Sequence, residues 1–466
     1  MINQNIFKSY DIRGIYPDEL DKEAAFKIGR AFARQFSVKK AVIGQDARIS
    51  SPELFLALAR GILAEGADVY NIGQVPTECL YFTVGTYDFD AGIMITASHN
   101  PKEYNGFKII KKAGNSIEII RGKDLLAEVE KPDKSPKGHF DGPATISPLA
   151  SLGGDFWNDY ISHILSFVNL GEIKPFKVVV DASNGVAGIV LEKIKDKLPV
   201  EIISLNFEPN GNFPNHSPNP LAEGSADQIK NEIKKQKADF GLIFDGDADR
   251  IFLADENGEL VRADATLLLL AKYFLEKNPG TAIAYNAICS KAVPEFIKKW
   301  GGKPVRTQVG FINVREGLLK NNGAMGGELS GHYCFKDNFY MDSGMIAFLV
   351  LLQIISKDPS TPFGTAQGKS SGQVKVSEII TEFSPYAKSP ELNFQVENKE
   401  AIMEKVKEKY SDGKQDFLDG VTVEYENWWF NIRPSNTEPL LRLTIEADTQ
   451  DILEKKIKEL TEIITE

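Results

Sequence analysis

Thr96-Ala97-Ser98-His99-Asn100-Pro101 sets a hydroxyl beside an imidazole directly after the apolar run Ala91–Ile95. Such a run reads as an interior parallel strand, and Pro101 stops any ladder from continuing past it. Functional side chains gather where an α/β sheet hands over to a loop, so Ser98 is a candidate nucleophile with His99 as its neighbour. A turn serine capping the next element is the alternative reading. Asn105-Gly106-Phe107-Lys108 reads as a hairpin turn that folds Lys108 back towards Ser98; taken alone, that lysine is a surface residue.

Asp245-Gly246-Asp247-Ala248-Asp249-Arg250 follows a second apolar run, Phe240–Phe244, with carboxylates at alternate positions. On an extended segment the three would share one face, where they repel unless a cation or protons neutralise them. Hard oxygen ligands suit Mg²⁺ or Ca²⁺. An EF-hand is excluded, because Arg250 stands where that loop needs its glycine and both flanks are strand-like. A solvated acidic turn is the other reading.

Glu328-Leu329-Ser330-Gly331-His332 repeats the alternation, giving one polar face on which Glu328 and Ser330 suit neighbouring sugar hydroxyls and His332 suits proton transfer near neutral pH. A hairpin with a polar outer face is the alternative. Arg433-Pro434-Ser435-Asn436-Thr437, with Arg442 beyond, offers a guanidinium fork, two hydroxyls and an amide. That composition makes an anion cradle, since a plain turn gains nothing from the arginine. Tyr10-Asp11-Ile12-Arg13-Gly14 and Gly44-Gln45-Asp46-Ala47-Arg48-Ile49-Ser50 each put an arginine beside a glycine-marked turn, a weak signal alone.

These motifs are carried by elements that alternate along the chain. Lys40–Gly44, a helical stretch Pro52–Glu65 and Ala67–Ile72 follow βαβ grammar, which restarts at Phe176–Asp181 and at Ala282–Asn286 before a helix Ala292–Trp300. Three α/β units in series result. Residues 359–373 (PSTPFGTAQGKSSGQ) read as a linker or insertion. Beyond them, strands at Val421–Tyr425 and Leu440–Glu446 and an amphipathic helix from Thr449, with Ile452, Leu453, Ile457, Leu460 and Ile464 at helical spacing, make a smaller α+β domain. The domains expected are 1–148, 149–252, 253–358 and 374–466.

With 466 residues the chain exceeds a single core. Its 42% hydrophobic and 26% charged residues are those of a water-soluble globular protein. The net charge of −11 argues against nucleic-acid or anionic-membrane partners, so an anionic substrate must be held by a local basic cluster. No apolar stretch spans a bilayer and the first residues lack a leader pattern, which points to the cytoplasm. Cys79, Cys289 and Cys334 have neither disulfide nor zinc spacing and read as small buried hydrophobes.

In order along the whole chain, TASHNP, DGDADR, GELSGH and RPSNTEP match four signature regions, and the chain resembles the α-D-phosphohexomutase family in its phosphomannomutase/phosphoglucomutase branch. The resemblance implies three similar α/β domains and a TBP-like α+β domain around a central cleft. It further implies that Ser98 carries a phosphoryl group, binds Mg²⁺ with Asp245, Asp247 and Asp249, and exchanges phosphate with a hexose through a hexose 1,6-bisphosphate, which also serves as activator. In that scheme Lys108 and His332 exchange protons, while Arg13, Arg250 and His99 complete the catalytic group. Tyr10, Glu328, Ser330, Arg433, Ser435, Asn436, Thr437 and Arg442 bind the phosphosugar. Mannose and glucose are the expected sugars, glucosamine the runner-up, and the enzyme a monomer or small homo-oligomer. A phosphatase would share the serine and metal but has no use for a sugar reader or a second phosphate site. A non-catalytic sensor would have no use for Ser98. Two positions depart from the family pattern: Phe311 and Ile288 stand where many relatives carry basic residues.

Overall fold

The apolar run before Ser98 forms a strand, Ala91–Ile95, buried along its whole length. It pairs in parallel with Lys40–Gln45 and antiparallel with Tyr104–Ala113, so it lies inside a sheet rather than at an edge. The computed structural model describes residues 2–114, 116–131, 146–149, 155–356, 375–435 and 440–465. The described residues divide into two compact units, one within Met1–Val261 and Gly331–Asp358, the other within Arg262–Ser330 and Pro359–Glu466.

In the first unit the sheet runs Ile12–Ile15, Tyr104–Ala113, Ala91–Ile95, Lys40–Gln45, Asp68–Gln74 and Ile146–Pro148, with Ser116–Ile120 also on Tyr104–Ala113. Parallel neighbours need crossovers, and the helices Lys22–Gln35 and Ser51–Leu63 supply cover for one face. The first of these is capped by Asp21, which accepts from Ala24 N at 2.7 Å. The two helices touch backbone to backbone: a Cβ on Gly29 would stand 2.3 Å from the Leu58 carbonyl, and one on Gly61 2.2 Å from that of Phe26. Only glycine permits that approach, which draws Ile28, Phe32, Leu58 and Ile62 into one core.

A second sheet in this unit orders Ile251–Ala254, Phe240–Phe244, Lys177–Asp181 and Glu201–Leu205, the last three parallel. The hairpin from Phe244 to Ile251 therefore opens at the end of a buried parallel strand. Gly344–Ser356 is a helix buried on every side, with Phe348 against Phe244 at 6.1 Å between rings. Among the described residues no helix is long and apolar enough to cross a membrane.

In the second unit Ala282–Asn286 pairs in parallel with Lys303–Thr307 and Met325–Gly327. An antiparallel sheet follows, in the order Ala387–Lys388, Leu440–Ala447, Trp428–Pro434, Val421–Glu424 and Lys414–Asp416, with Leu392–Gln395 also on Leu440–Ala447. The helix Gln450–Thr465 buries Leu453, Leu460 and Ile464 against Phe430, Leu441 and Leu443, with Ile452 and Ile457 partly covered. This is the α+β pattern read from the sequence. Residues 359–373, expected as a linker or insertion, lie outside the described residues. The three cysteines are buried free thiols.

Candidate active site

Side chains two apart on an extended strand stand about 6.7 Å from one another. The carboxylates of Asp245, Asp247 and Asp249 each offer an oxygen within 4.8 Å of the others. A turn achieves this, not the strand face expected from their alternation: the chain leaves Phe244, bends through 246–249 with Ala248 at φ 64°, and re-enters a strand at Ile251. Gly246 lets that bend pack closely, since a Cβ there would lie 2.8 Å from the Ser98 carbonyl.

All three aspartates are buried. Lys108 Nζ sits 2.7 Å from Asp247 Oδ2 and also hydrogen-bonds Asp249 Oδ2, while Thr77 Oγ1 donates to Asp247 Oδ2 at 2.6 Å. Arg250 Nε lies 3.5 Å from Asp245 Oδ2. Burial, then the charges of Asp249 and Asp247, push the Asp245 carboxyl well above the usual range. Burial acts the same way on Asp249, but Lys108, His332 and Arg250 outweigh it and hold that group below the usual range. Lys108 shows the reverse balance: burial opposes its charge, and Asp247 and Asp249 overcome this and raise it. Asp247 Oδ1 and Asp249 Oδ1 are buried with no hydrogen bond. Two buried carboxylate oxygens without hydrogen bonds, beside a third carboxylate, fit a divalent ion bound by hard oxygen ligands.

Ser98 Oγ donates to Asp245 Oδ2 at 2.9 Å and lies 3.2 Å from His99 Nδ1. Its backbone is left-handed, φ 51°, and the Ser98 N–H donates to Thr96 Oγ1 at 2.8 Å. His99 Nδ1 also faces Arg250 Nη2 at 2.7 Å, so that nitrogen accepts. Burial, followed by the charges of Arg250 and Arg13, depresses the His99 imidazole well below its usual range. The Nδ1 of His99 is thus held between Arg250 Nη2 and Ser98 Oγ.

Lys108 arrives by a different route from the one expected. Asn105 and Gly106 are interior to the strand Tyr104–Ala113, not a hairpin turn, and Lys108 faces the site because it pairs with Met94 on the strand that leads to Ser98. Gly106 answers a close approach instead: a Cβ would stand 2.2 Å from the Ile12 carbonyl. Arg13, opposite Gly106, donates to Asn100 Oδ1 and Asp11 Oδ2, both at 2.5 Å. Tyr10 is half-buried in the bend before that strand.

His332 stands in the first unit with this group. Its Nδ1 lies 2.6 Å from Asp342 Oδ2 and 3.7 Å from Asp249 Oδ1, and its backbone bridges to Arg250. Asp342 pairs with Cys334 in the hairpin of Tyr333–Phe335 and Met341–Asp342.

Glu328 and Ser330 belong to the second unit, in a turn after Met325–Gly327 rather than on a strand. Ser330 Oγ donates to Glu328 Oε1, and Glu328 Oε2 accepts from Gly310 N at 3.1 Å. The positive φ of Gly310, 117°, opens the helix Phe311–Lys320 with Phe311 at its first position. Beside Ile288, Lys388 Nζ donates to the Ile288 carbonyl at 2.7 Å, so a buried lysine from the C-terminal sheet stands next to the position that is apolar in the sequence. Arg433 and Arg442 face each other across antiparallel strands, and Glu391 pairs with both. Ser435 follows directly; Asn436 and Thr437 lie outside the described residues.

Sequence reasoning missed Asp342 and Glu391 and found only a weak signal at Arg48. That arginine is fully buried and donates to four carbonyls of the Ser98 loop: Ser98 at 2.8 Å, Asn100 and Pro101 at 2.6 Å, and Tyr104 at 2.9 Å. Its Nε bonds Asp46 Oδ2 at 3.0 Å and its guanidinium lies over the Phe213 ring at 5.4 Å. The available signal was the Asp-x-Arg spacing at the end of a buried strand.

Fold and site define a multidomain α/β protein whose strand ends gather a serine hydroxyl, a lysine and a carboxylate trio suited to a divalent cation. Models of phosphoglucomutase/phosphomannomutase alpha/beta/alpha domains I, II and III match residues 4–135, 158–258 and 262–380, and that of the C-terminal domain matches 391–463. The chain is similar to a phosphomannomutase of Vibrio cholerae (36% identity, 98% of each chain) and to one of Methanocaldococcus jannaschii (36%, 98% of this chain and 97% of the other). Among solved structures it is similar to a phosphoglucomutase/phosphomannomutase family protein of Burkholderia thailandensis, with 30% identity and TM-score 0.82 over 99% of this chain and 97% of the other. The chain belongs to the phosphoglucomutase/phosphomannomutase family.

Proposed function

We propose that this enzyme interconverts hexose 1-phosphate and hexose 6-phosphate, with mannose and glucose as its sugars, through a phosphoserine at Ser98 and a hexose 1,6-bisphosphate that also activates it. The observation that carries this is the hydrogen bond from Ser98 Oγ to Asp245, inside a carboxylate trio that Lys108 spans. Asp245, Asp247, Asp249 and the Ser98 oxygen would hold Mg²⁺, which when bound offsets charge on the phosphoryl oxygens.

In the forward half-reaction the bond from phosphorus to Ser98 Oγ breaks as a sugar hydroxyl oxygen bonds to phosphorus, and the hydroxyl proton passes to a base. His332 is that base in this reading, with Asp342 fixing its ring, and Lys108 supplies a proton to the oxygen that leaves. Arg13 and Arg250 meet charge on the transferring group, and His99 orients Arg250. The reverse half-reaction returns the other phosphate to Ser98. Glu328 and Ser330 read sugar hydroxyls, and Tyr10, Arg433, Ser435, Asn436, Thr437 and Arg442 hold the phosphosugar. The four domains we assign are 1–148, 149–252, 253–358 and 374–466, joined before the last by 359–373. The substrate is a small phosphosugar, and the enzyme works in the cytoplasm as a monomer or small homo-oligomer.

A coupled assay on mannose 1-phosphate, glucose 1-phosphate and glucosamine 1-phosphate, with Mg²⁺ and a trace of hexose 1,6-bisphosphate, tests this. Conversion of the first two to 6-phosphates at a higher kcat/KM than glucosamine 1-phosphate is expected. Inorganic phosphate released at the rate of isomerisation overturns it.

A further inference from the structure

Arg433 and Arg442 are register partners on the antiparallel strands Trp428–Pro434 and Leu440–Ala447. Like charges directly opposite each other destabilise a sheet. The chain answers with Glu391, just before the strand Leu392–Gln395, whose Asn393 pairs in turn with Arg442. The carboxylate gives one oxygen to each guanidinium: Oε1 lies 2.6 Å from Arg433 Nη2, and Oε2 lies 3.1 Å from Arg442 Nη1. The Arg433 side chain is 4% exposed and that of Glu391 26%, so a buried cation is paired with a more exposed acid. Arg433 Nε is buried with no hydrogen bond. Nothing in the local sequence announces an acid here, because Glu391 lies 42 residues before Arg433.

A carboxylate and a phosphate address an arginine fork through the same N–H donors and the same planar geometry. A phosphate arriving at this pair meets donors already engaged and a negative charge already present. We propose that Glu391 is a built-in competitor for phosphate on Arg433 and Arg442, lowering the affinity of that pair and hastening release from it. The proposal rests on the reading of Arg433 and Arg442 as phosphate-holding residues. It gives that reading a use: a bisphosphate that must release one phosphate and present the other leaves faster when a tethered carboxylate returns to the vacated donors. No bond is made or broken in this exchange, and Glu391 acts through the arginines.

The test is Glu391→Gln, which keeps the size of the side chain and one acceptor but removes the charge. Two quantities are read on the full-length protein: the inhibition constant of inorganic phosphate and the KM for hexose 1-phosphate. Both are expected to fall about 3- to 10-fold, with kcat unchanged or reduced. A purely structural role moves both the other way, because arginines no longer bridged by the carboxylate repel each other and present their forks poorly; a rise in either constant, or no change in both, overturns the proposal. If the glutamine variant does not fold, Glu391→Asp draws the carboxylate back by one methylene and is expected to shift both constants in the same direction. Arg433→Gln separates the two levels of inference. If it leaves the phosphate inhibition constant unchanged, the cradle reading fails whatever Glu391 does; if it raises that constant while Glu391→Gln has no effect, only the competitor fails.

Discussion

Arg48 Nη2 donates to the main-chain carbonyl of Ser98 at 2.8 Å, 50 residues away in sequence. That bond is one of four from the same guanidinium to the loop that carries the serine, and it explains how a non-glycine residue is held at φ 51°. A left-handed backbone costs a serine about 1–2 kcal/mol, so the turn persists only where its surroundings over-determine it.

Arg48→Lys is expected to disorder this loop, since one ammonium has three donors and cannot reach four carbonyls and Asp46. Each buried carbonyl left unpaired costs about 1–3 kcal/mol. The expected result is a fall in kcat of at least about tenfold with KM little changed, alongside a lower Tm. Steady-state kinetics and calorimetry on the same preparation check it. An unchanged kcat with a lowered Tm reduces Arg48 to a fold residue.

Ser98→Ala is expected to abolish mutase turnover while leaving the carboxylate trio in place, with a metal response weakened by the loss of one oxygen ligand. The coupled assay, run with added hexose 1,6-bisphosphate, is the measurement. Retained isomerisation removes Ser98 from the mechanism.

The buried oxygens of Asp247 and Asp249 that lack hydrogen bonds make a direct claim about ions. Chelation is expected to abolish activity and leave the chain folded, and Mg²⁺ is expected to raise Tm, by about 2.7 kcal/mol of stabilisation at 100 times its dissociation constant. Asp247→Asn is expected to weaken that response by leaving one fewer charge. A Tm indifferent to Mg²⁺ in the unsubstituted chain disproves the metal assignment.

His332 and Asp342 share a 2.6 Å contact that fixes which face of the ring meets the site. His332→Ala is expected to lower kcat by about 10²–10⁴-fold, the usual worth of general acid–base catalysis. Asp342→Asn leaves the imidazole but offers its Nδ1 a different partner, and a smaller fall of about 10- to 100-fold in kcat is expected. Phosphosugar KM should hold in both. If Asp342→Asn raises KM and spares kcat, Asp342 is not the residue that positions His332.

Much of this site was legible because its chemistry is local in sequence. The aspartates fall within five residues, and the serine follows a strand whose five apolar residues declare burial. Where geometry decides, the sequence pattern and the structure part. Asn105-Gly106 has the chemistry of a turn, yet both flanks of Tyr104–Ala113 are paired, and the glycine serves the approach of Ile12 instead. The alternating acids suggested a strand face, but a strand cannot bring carboxylates two residues apart close enough, and a bend does. Arg48, Asp342 and Glu391 act through partners brought near by sheet pairing and hairpins, and no periodicity or spacing encodes such pairings. The same limit applies to Lys388, which reaches Ile288 from 100 residues away.

His216 gives the fold a pH dependence of its own. Both ring nitrogens face acceptors: Nε2 lies 3.1 Å from Asp181 Oδ2 and Nδ1 2.8 Å from the Ser217 carbonyl, so the doubly protonated ring is fully satisfied. Asn206 Nδ2, 3.3 Å from Nε2, gives its protons to Asp181 Oδ1 at 2.9 Å and Gln228 Oε1 at 3.0 Å. Burial opposes the charge, but the hydrogen bond and charge of Asp181 outweigh it, and the imidazole is raised above its ordinary value. The native state therefore holds this proton more tightly than the unfolded chain, whose histidines titrate near pH ~6.5. The stabilisation is complete below that value and is lost as pH rises through the native one. His216→Gln keeps hydrogen-bonding capacity and removes the charge. Tm of the unsubstituted protein minus that of the variant is expected to be largest near pH 6 and to shrink towards pH 8.5; a difference that stays constant shows that folding does not shift the ring's pKa, and one that grows with pH shows a ring held neutral in the native state.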